Sequence, residues 1–151
     1  MRRIVILLIL QIIATGFCFG QLPHTFTQYT SEDGLSQNTI MSILQDDKGV
    51  MWFATWDGLY KFDGYTFNNY KAHPGDSIGL SNNRLDNIKE DRYGYIWVQS
   101  YNHQVYRFNP RLERFQAIPY DNYLSLDMYV LPCGDVWIIT VQNELIHIST
   151  H

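Results

Sequence analysis

The sequence predicts an all-β fold made of β-propeller blades, in which about three four-stranded antiparallel sheets form an incomplete ring. Two observations support this prediction. The tryptophans Trp52, Trp97 and Trp137 are spaced by 45 and then 40 residues and lie at the centre of a repeated unit. The strands around them, VMWFA, YIWV and VWIITV, are apolar at consecutive positions, which indicates sheets that are covered on both faces.

The repeat extends well beyond the tryptophans. GLSQN at 34–38 returns as GLSNN at 79–83, and GLYKFD at 58–63 has counterparts in QVYRFN at 104–109 and ELIHIS at 144–149. A glycine stands three residues before each tryptophan, at Gly49, Gly94 and Gly134. Chance agreement at this many positions is implausible, so the copies are interpreted as one structural unit.

The second copy, at 80–118, shows how a unit is expected to fold. Four strands are predicted, in NRLDNIKE, YIWVQS, VYRFN and RFQAI, with turns at DRYG, YNHQ and NPRLE. Gly94 can adopt the positive φ that the first turn needs, and Pro110 stops the third strand. A helical repeat is disfavoured because each unit has three turns and no helical run of about ten residues.

Five segments are predicted along the chain. They are a signal peptide at 1–20, an N-terminal strand at 21–34, blade 1 at 35–78, blade 2 at 79–120 and a partial blade 3 at 121–151. The first segment has two arginines, an apolar stretch at 4–13 and then small residues, which is the layout of a secretory signal cleaved after Gly20. A retained membrane anchor or a lipoprotein signal using Cys18 are the alternatives, but the stretch is short for a span and Phe17 is bulky.

Composition excludes some classes of function. The chain has 151 residues, 46% hydrophobic and 15% aromatic, with a formal net charge of -4. No block of lysine and arginine marks a nucleic-acid binder. Removal of the signal leaves Cys133 as the one cysteine, so no internal disulfide is expected, and Cys133 is interpreted as an inert turn residue.

No catalytic, cofactor-binding or metal-binding residue is predicted, and the ligand-binding residues are unknown at this stage. The acidic pairs Asp46–Asp47 and Glu90–Asp91 could form a calcium loop or an acid–base pair, but their recurrence favours a role in capping turns. The histidines, at 24, 73, 103, 147 and 151, lack metal-ligand spacing.

Two features are weak candidates for ligand contact. The first is the polar connector at 73–83, which is also explained as a plain link between blades. The second is a set of aromatic residues at or near turns, where sugar rings could stack: Trp56, Tyr65, Tyr93 and Tyr101. Aromatic residues in turns also cover blade edges, so none is assigned to a site.

A family resemblance rests on the two complete units. LSNNRLDNIKEDRYGYIWVQSYNHQVYRFNPRLERF resembles the two-component regulator propeller repeat, and QYTSEDGLSQNTIMSILQDDKGVMWFATWDGLYKFDGYTFNNY is similar to the first blade of such proteins. The resemblance extends over about 26–149, although the third copy lacks the acidic pair and the Gly-Leu dipeptide. The chain thus resembles the N-terminal periplasmic sensor region of a Bacteroidetes hybrid two-component system sensor histidine kinase.

The resemblance implies a function. Such receptors have two seven-bladed propellers, a membrane helix, a kinase core and a DNA-binding module, and they sense oligosaccharides and control polysaccharide-utilisation genes. It implies that this chain is a non-catalytic, cofactor-free sensing segment of a periplasmic region whose parent, anchored in the inner membrane, is a kinase. The implied partners are the remaining blades, an oligosaccharide and a second receptor copy, and no nucleic acid.

The length of the chain leaves alternatives open. Seven blades need roughly 315 residues, so we expect an N-terminal piece of a longer receptor, in which the strand HTFTQYT would complete the last blade. A small protein that closes by oligomerising is the alternative. A fragment of a secreted propeller enzyme (a lyase or glycosidase) and a plain interaction scaffold are the alternative functions.

Overall fold

The computed structural model describes residues 25–36, 39–73, 75, 79–119 and 124–149. The predicted signal peptide at 1–20 lies outside the described residues, as do His24 and His151. Within the described part, the chain forms three antiparallel sheets and one short 3-10 helix at Ser31–Asp33.

The sheets follow one another in chain order. The first contains β1 (Ile40–Gln45), β2 (Met51–Thr55), β3 (Gly58–Phe62) and β4 (Phe67–Tyr70). The second contains β5 (Leu85–Glu90), β6 (Ile96–Ser100), β7 (Val105–Asn109) and β8 (Arg114–Ala117). The third contains β9 (Ser125–Val130), β10 (Val136–Thr140) and β11 (Leu145–Ile148).

Each sheet is an antiparallel meander, because hydrogen-bonded neighbours are consecutive in sequence. The first strands of successive sheets, β1, β5 and β9, lie next to one another. This is the arrangement of propeller blades around an axis, with two four-stranded blades and a three-stranded third. The predicted all-β fold of blades in an open arc is therefore confirmed.

The predicted N-terminal strand at 21–34 is described from residue 25, and its pairing with a last blade stays a prediction. Residues 25–30 form no strand, and the 3-10 helix follows, closed by Gly34 at φ 102°. A strand needs a neighbouring edge for its N–H and C=O groups, and no described sheet pairs with this segment. Tyr29 instead packs edge-on against Phe62 and Phe67, at 5.0 and 5.6 Å between ring centroids.

An aspartate organises the turn that precedes the tryptophan strand of blade 1. Oδ1 of Asp46 accepts hydrogen bonds from the backbone N–H groups of Lys48 (3.0 Å) and Val50 (2.8 Å). Its Oδ2 accepts from Nε1 of Trp52 at 2.9 Å. Gly49 lies within this turn with φ 82°. One carboxylate therefore holds both the turn and the indole ring.

Blade 2 repeats this arrangement. Oδ1 of Asp91 accepts from the N–H groups of Tyr93 (2.9 Å) and Tyr95 (3.1 Å), and Oδ2 accepts from Nε1 of Trp97 (2.8 Å). In blade 3 the corresponding residue is Leu131, which has no carboxylate. The prediction that Asp46 and Asp91 cap their turns is thus confirmed.

The tryptophans fill the spaces between blades, as predicted, at the first two positions. Trp52 is 1% exposed, and its ring centroid is 5.7 Å from that of Phe108 in blade 2. Trp97 is fully buried in a cluster with three blade 3 residues, Met128, Val136 and Ile138. Trp137 is only partly buried and stacks on His147 at 4.4 Å, since no described sheet lies beyond it. Burial of each indole supplies much of the apolar contact that joins neighbouring blades.

Candidate functional site

The antiparallel meander places the turns at two opposite ends of the blades. One end has the β2–β3 and β6–β7 turns together with the connector from β4 to β5, and it is called the connector end here. The other has the aspartate-capped β1–β2 and β5–β6 turns and is called the acidic-turn end. Charged and aromatic side chains are present at both ends.

At the connector end an arginine lies between two aromatic rings from neighbouring blades. Cζ of Arg84 is 4.2 Å from the ring centroid of Trp56 in blade 1 and 3.9 Å from that of Tyr101 in blade 2. Both rings remain accessible, at 41% and 52% exposure. The three side chains form the Arg84 cluster, a surface of two aromatic rings and one cation.

The backbone positions this cluster through a bond that recurs in every blade. The N–H of Trp56 donates to the carbonyl of Thr39 (3.3 Å), and the N–H of Tyr101 donates to the carbonyl of Arg84 (2.8 Å). In blade 3 the N–H of Val141 donates to the carbonyl of Leu124 (2.9 Å). The geometry is thus a property of the repeat, whereas the arginine is present at one of its three copies.

A polar network lies beside the cluster. Oδ2 of Asp57 accepts hydrogen bonds from Nζ of Lys71 (2.6 Å) and Oγ of Ser36 (2.8 Å), and Ser36 is also hydrogen-bonded to the hydroxyl of Tyr60. Partial burial raises the pKa of Asp57, but these hydrogen bonds and the charge of Lys71 outweigh it, so the pKa lies below its usual value. The Lys71 charge is therefore already compensated.

The same network returns in blade 2 in a neutral form. Ser81 Oγ and the Tyr106 hydroxyl are 2.6 Å apart, as the counterparts of Ser36 and Tyr60. Nδ2 of Asn102 reaches Ser81 at 3.4 Å, in place of the blade 1 aspartate. Because the pairing recurs, it is explained by the construction of the blade and does not indicate a catalytic centre.

The connector is held to blade 1 by hydrogen bonds of Asn83. The N–H of Gly58 in the first blade donates to the carbonyl of Asn83 (2.8 Å), and the side chain of Asn83 accepts from the N–H of Ala72 (2.7 Å). Arg84, the next residue, is thereby placed at the boundary between blades. The predicted connector candidate at 73–83 is described only in part, so its contact with a ligand stays a prediction.

The acidic-turn end has a groove of about 830 Å3 between the turns of blades 1 and 2. Two of its charged side chains have partners within the protein: Oε2 of Glu90 accepts from the N–H of Asp47 (3.0 Å), and Arg107 lies over Tyr95 (4.5 Å) while donating to Gln116 (3.1 Å). Partial burial is the largest cause of a raised pKa of Glu90, and nearby carboxylates add to it. Glu90 and Arg107 in this groove therefore already have partners within the protein.

The comparison with protein families agrees with this geometry. Residues 34–57 match the two component regulator propeller family. This regulator propeller match covers the turn, the tryptophan strand and the start of the connector end in blade 1. It lies within the segment at 28–70 that resembles the first blade of such proteins.

The chain is also similar to a histidine kinase and to solved structures. Histidine kinase P4 from Formosa agariphila is 48% identical over 56 residues, which is 37% of this chain and 4% of that protein. The extracellular domain assigned to the hybrid two component system BT3049 from B. thetaiotaomicron matches with a TM-score of 0.66 and 23% identity, covering 83% of this chain and 20% of that one. The corresponding domain of BT4673 has a TM-score of 0.54 and 26% identity, covering 76% and 18%.

These comparisons support a regulator propeller region that resembles extracellular sensor domains of hybrid two-component systems. The chain spans one fifth or less of the length of these relatives. A search of the described residues for membrane spans finds no helix with the required length and hydropathy.

The structure separates the four candidate aromatic residues. Trp56 and Tyr101 meet around Arg84 at the connector end. Tyr65 is 92% exposed in the β3–β4 turn and Tyr93 lies in the β5–β6 turn, both at the acidic-turn end. Arg84 was not among the residues predicted from sequence. It aligns with Thr39 after the repeated GLSQN and GLSNN segments, and this is a position where the repeat replaces a neutral residue with a basic one.

The remaining candidates do not assemble into a site. Cys133 lies exposed in the β9–β10 turn. His147 stacks on Trp137 and is 3.1 Å from Asp135. Over the ranges that the structure describes, no group of three histidine, cysteine or acidic side chains is placed to hold a metal ion.

Replacing Glu90 with glutamine is expected to stabilise the protein at pH 7 and to leave its stability unchanged near pH 3.5. Because the folded-state pKa is raised above its unfolded value of 4.5, the stability contributed by Glu90 is present below that value and is lost as the pH rises through the folded pKa. Glutamine keeps an acceptor for the Asp47 N–H without the charge. Urea denaturation at the two pH values measures the difference.

Asp57→Asn is the matched control with the opposite sign. The pKa of Asp57 is lowered, so its contribution is present above its unfolded value of 3.8 and is lost as the pH falls through the folded pKa. The asparagine variant should lose stability at pH 7 and approach the parent protein in acid. Effects of the same sign for both variants at pH 7 would contradict the assigned pKa shifts.

Proposed function

We propose that this chain is a non-catalytic, ligand-sensing propeller segment of a hybrid two-component sensor and that it binds an oligosaccharide in the periplasm. The regulator propeller match and the similarity to extracellular domains of hybrid two-component systems support the sensor role. The downstream histidine kinase, its membrane anchor and the control of polysaccharide-utilisation genes belong to the same proposal, as does cleavage of the N-terminal signal.

The observation that supports ligand binding is the pair of exposed rings at the connector end. Trp56 and Tyr101 come from equivalent turns of consecutive blades, and both keep accessible surface although each contacts Arg84. Sugar rings bind proteins by stacking their C–H faces on aromatic rings, and polar groups nearby fix their orientation. The Asp57 and Asn102 networks flank the rings and supply such polar groups.

Calorimetric titration with defined oligosaccharides tests this proposal. Trp56→Ala and Tyr101→Ala should each weaken binding by about tenfold, because each removes a stacking surface. Tyr65→Ala is the control at the opposite end and should leave the affinity unchanged. Absence of binding heat for every glycan class would favour an interaction scaffold, and shortening of the oligosaccharide during titration would favour a secreted propeller enzyme.

The proposed partners include further blades of the same receptor and a second receptor copy. The outer face of blade 3 presents Tyr129 and Leu145, both more than half exposed, on the side away from blade 2. Exposed apolar sheet faces of this kind are covered in propellers by the next blade. Cross-linking of the complete receptor would identify the segment that covers this face.

A further inference from the structure

We infer that Arg84 binds the carboxylate or sulfate group of an acidic saccharide at the connector end. This inference rests on the proposed function and narrows its ligand to an anionic class. The cation lies between Trp56 and Tyr101, where stacked sugar rings would present their charged substituents. An oxyanion is the group that a guanidinium recognises best, through two parallel N–H···O bonds.

The first supporting observation is that the guanidinium is unused. Among the described residues, its nitrogens donate no hydrogen bond to the protein, and neither of the two ion pairs involves Arg84. Its Nε is buried without a hydrogen-bond partner. A buried donor left unsatisfied costs stability, so it requires an explanation, and a bound anion supplies one.

The second observation is that the side chain is nevertheless held in place. Two rings lie within 4.2 Å of Cζ, and the backbone on either side is fixed by the Asn82 side chain and by the Tyr101 N–H. Stacking positions a guanidinium without using any of its N–H donors. Because the Arg84 side chain is already ordered, little of its conformational entropy remains to be lost when a ligand binds.

The third observation is a contrast with the other arginines that stack on tyrosines. Arg107 lies over Tyr95 and donates to Gln116 at 3.1 Å, and Arg92 lies over Tyr93 and donates to its hydroxyl at 2.5 Å. Both have partners within the protein. In the described ranges, Arg84 differs from these two stacked arginines because its N–H donors have no hydrogen-bond partner in the protein.

The fourth observation is that the repeat does not require an arginine here. Thr39 and Leu124 occupy the equivalent places before β1 and β9 and make the same backbone bond. A residue needed to build the blade would recur with the period, as the turn glycines do. Because the blade is built without it at the other two junctions, Arg84 is available for a site that occurs once.

NMR titration of the whole chain tests the inference on the arginine Nε–Hε resonances. The probes are D-glucuronate for the carboxylate, N-acetylglucosamine 6-sulfate for the sulfate ester, and methyl glucoside as the neutral control. At least one anionic probe should shift the Arg84 resonance, which is assigned by its loss in Arg84→Leu, and bind at least tenfold more tightly than methyl glucoside. The Arg107 resonance should not move.

Two variants of Arg84 and one control variant separate a binding role from a packing role. Arg84→Leu should lower the affinity of the protein for the anionic probe at least tenfold. Arg107→Leu should leave this affinity unchanged. Arg84→Lys keeps the charge without the bidentate donor pair, so it should bind several-fold more weakly than the parent protein. If Arg84→Leu proves unfolded by circular dichroism, the wild-type titration and Arg84→Lys provide the test.

The outcomes distinguish this inference from the proposed function. A neutral sugar that binds as tightly as both anionic probes overturns the anionic assignment and leaves oligosaccharide sensing intact. Anion binding that persists in Arg84→Leu overturns the role of Arg84. If no saccharide binds, whether charged or neutral, both proposals are overturned.

Discussion

Trp97→Ala is expected to lower the free energy of unfolding by about 3–5 kcal/mol, the cost of truncating a large buried aromatic side chain. Trp97 is fully buried between blades 2 and 3, and its Nε1 donates to the carboxylate of Asp91 at 2.8 Å. Truncation leaves a cavity next to a carboxylate that is 3% exposed and has lost a donor. Urea denaturation followed by circular dichroism measures the loss.

Trp137→Ala is the matched control for this prediction. Trp137 occupies the same position in blade 3, but it is partly exposed, has Leu131 where the capping aspartate would be, and faces no described sheet. Its removal should cost about 1 kcal/mol. Trp97→Phe should fall between the two, because it retains most of the ring and removes the indole donor. Equal losses for Trp97→Ala and Trp137→Ala would refute the role of the indole as a filler between blades.

Gly58→Ala is expected to destabilise the protein by about 3 kcal/mol or more, through steric conflict and an unfavourable backbone conformation. A Cβ at this position would lie 2.5 Å from the carbonyl oxygen of Tyr70 and 2.6 Å from Oδ1 of Asn69. The φ of 111° adds a conformational cost for any L residue. Displacement of the turn would also weaken the bond from Gly58 N–H to Asn83, which joins blade 1 to the connector.

Gly64→Ala isolates the conformational part of this effect. Gly64 has a similar φ of 99°, and a Cβ there would meet nothing within 4 Å. It should cost about 1 kcal/mol, from backbone conformation alone. Thermal unfolding of the two variants side by side gives the difference, and a Gly58→Ala variant no less stable than Gly64→Ala would show that the close approach of β3 and β4 relaxes without cost.

The predictions from sequence succeeded where local pattern and repetition agreed. The glycine three residues before each tryptophan marked the turns, and the predicted strands of blade 2 coincide with β5 to β8 within two residues at each end. Recurrence of Asp46 and Asp91 six residues before Trp52 and Trp97 also pointed to a structural role for the carboxylates. It did not show that the second carboxylate oxygen binds the indole, because that contact depends on how the strand leaves the turn.

The pairing of the N-terminal segment with a last blade stays a prediction. HTFTQYT has the composition of a fourth strand, but a strand exists only with a hydrogen-bonded neighbour, and the described sheets offer none to this segment. Within it, Tyr29 contacts the aromatic side chains of blade 1, whereas Phe26 is 93% exposed. The composition of this segment indicates a tendency to form a strand. It does not indicate which sheet would pair with that strand.

Periodicity, turn residues and the doubly apolar strands established the blades of this protein, because each depends on contacts within about 45 residues that the chain repeats. The Arg84 cluster depended on the packing of one blade against the next. Trp56 and Tyr101 are 45 residues apart and looked equivalent to Tyr65 and Tyr93 until the turns were placed at opposite ends. The relative position of two sheets decides which aromatic rings share a surface and which cation lies between them. That position depends on how the side chains of the two sheets pack.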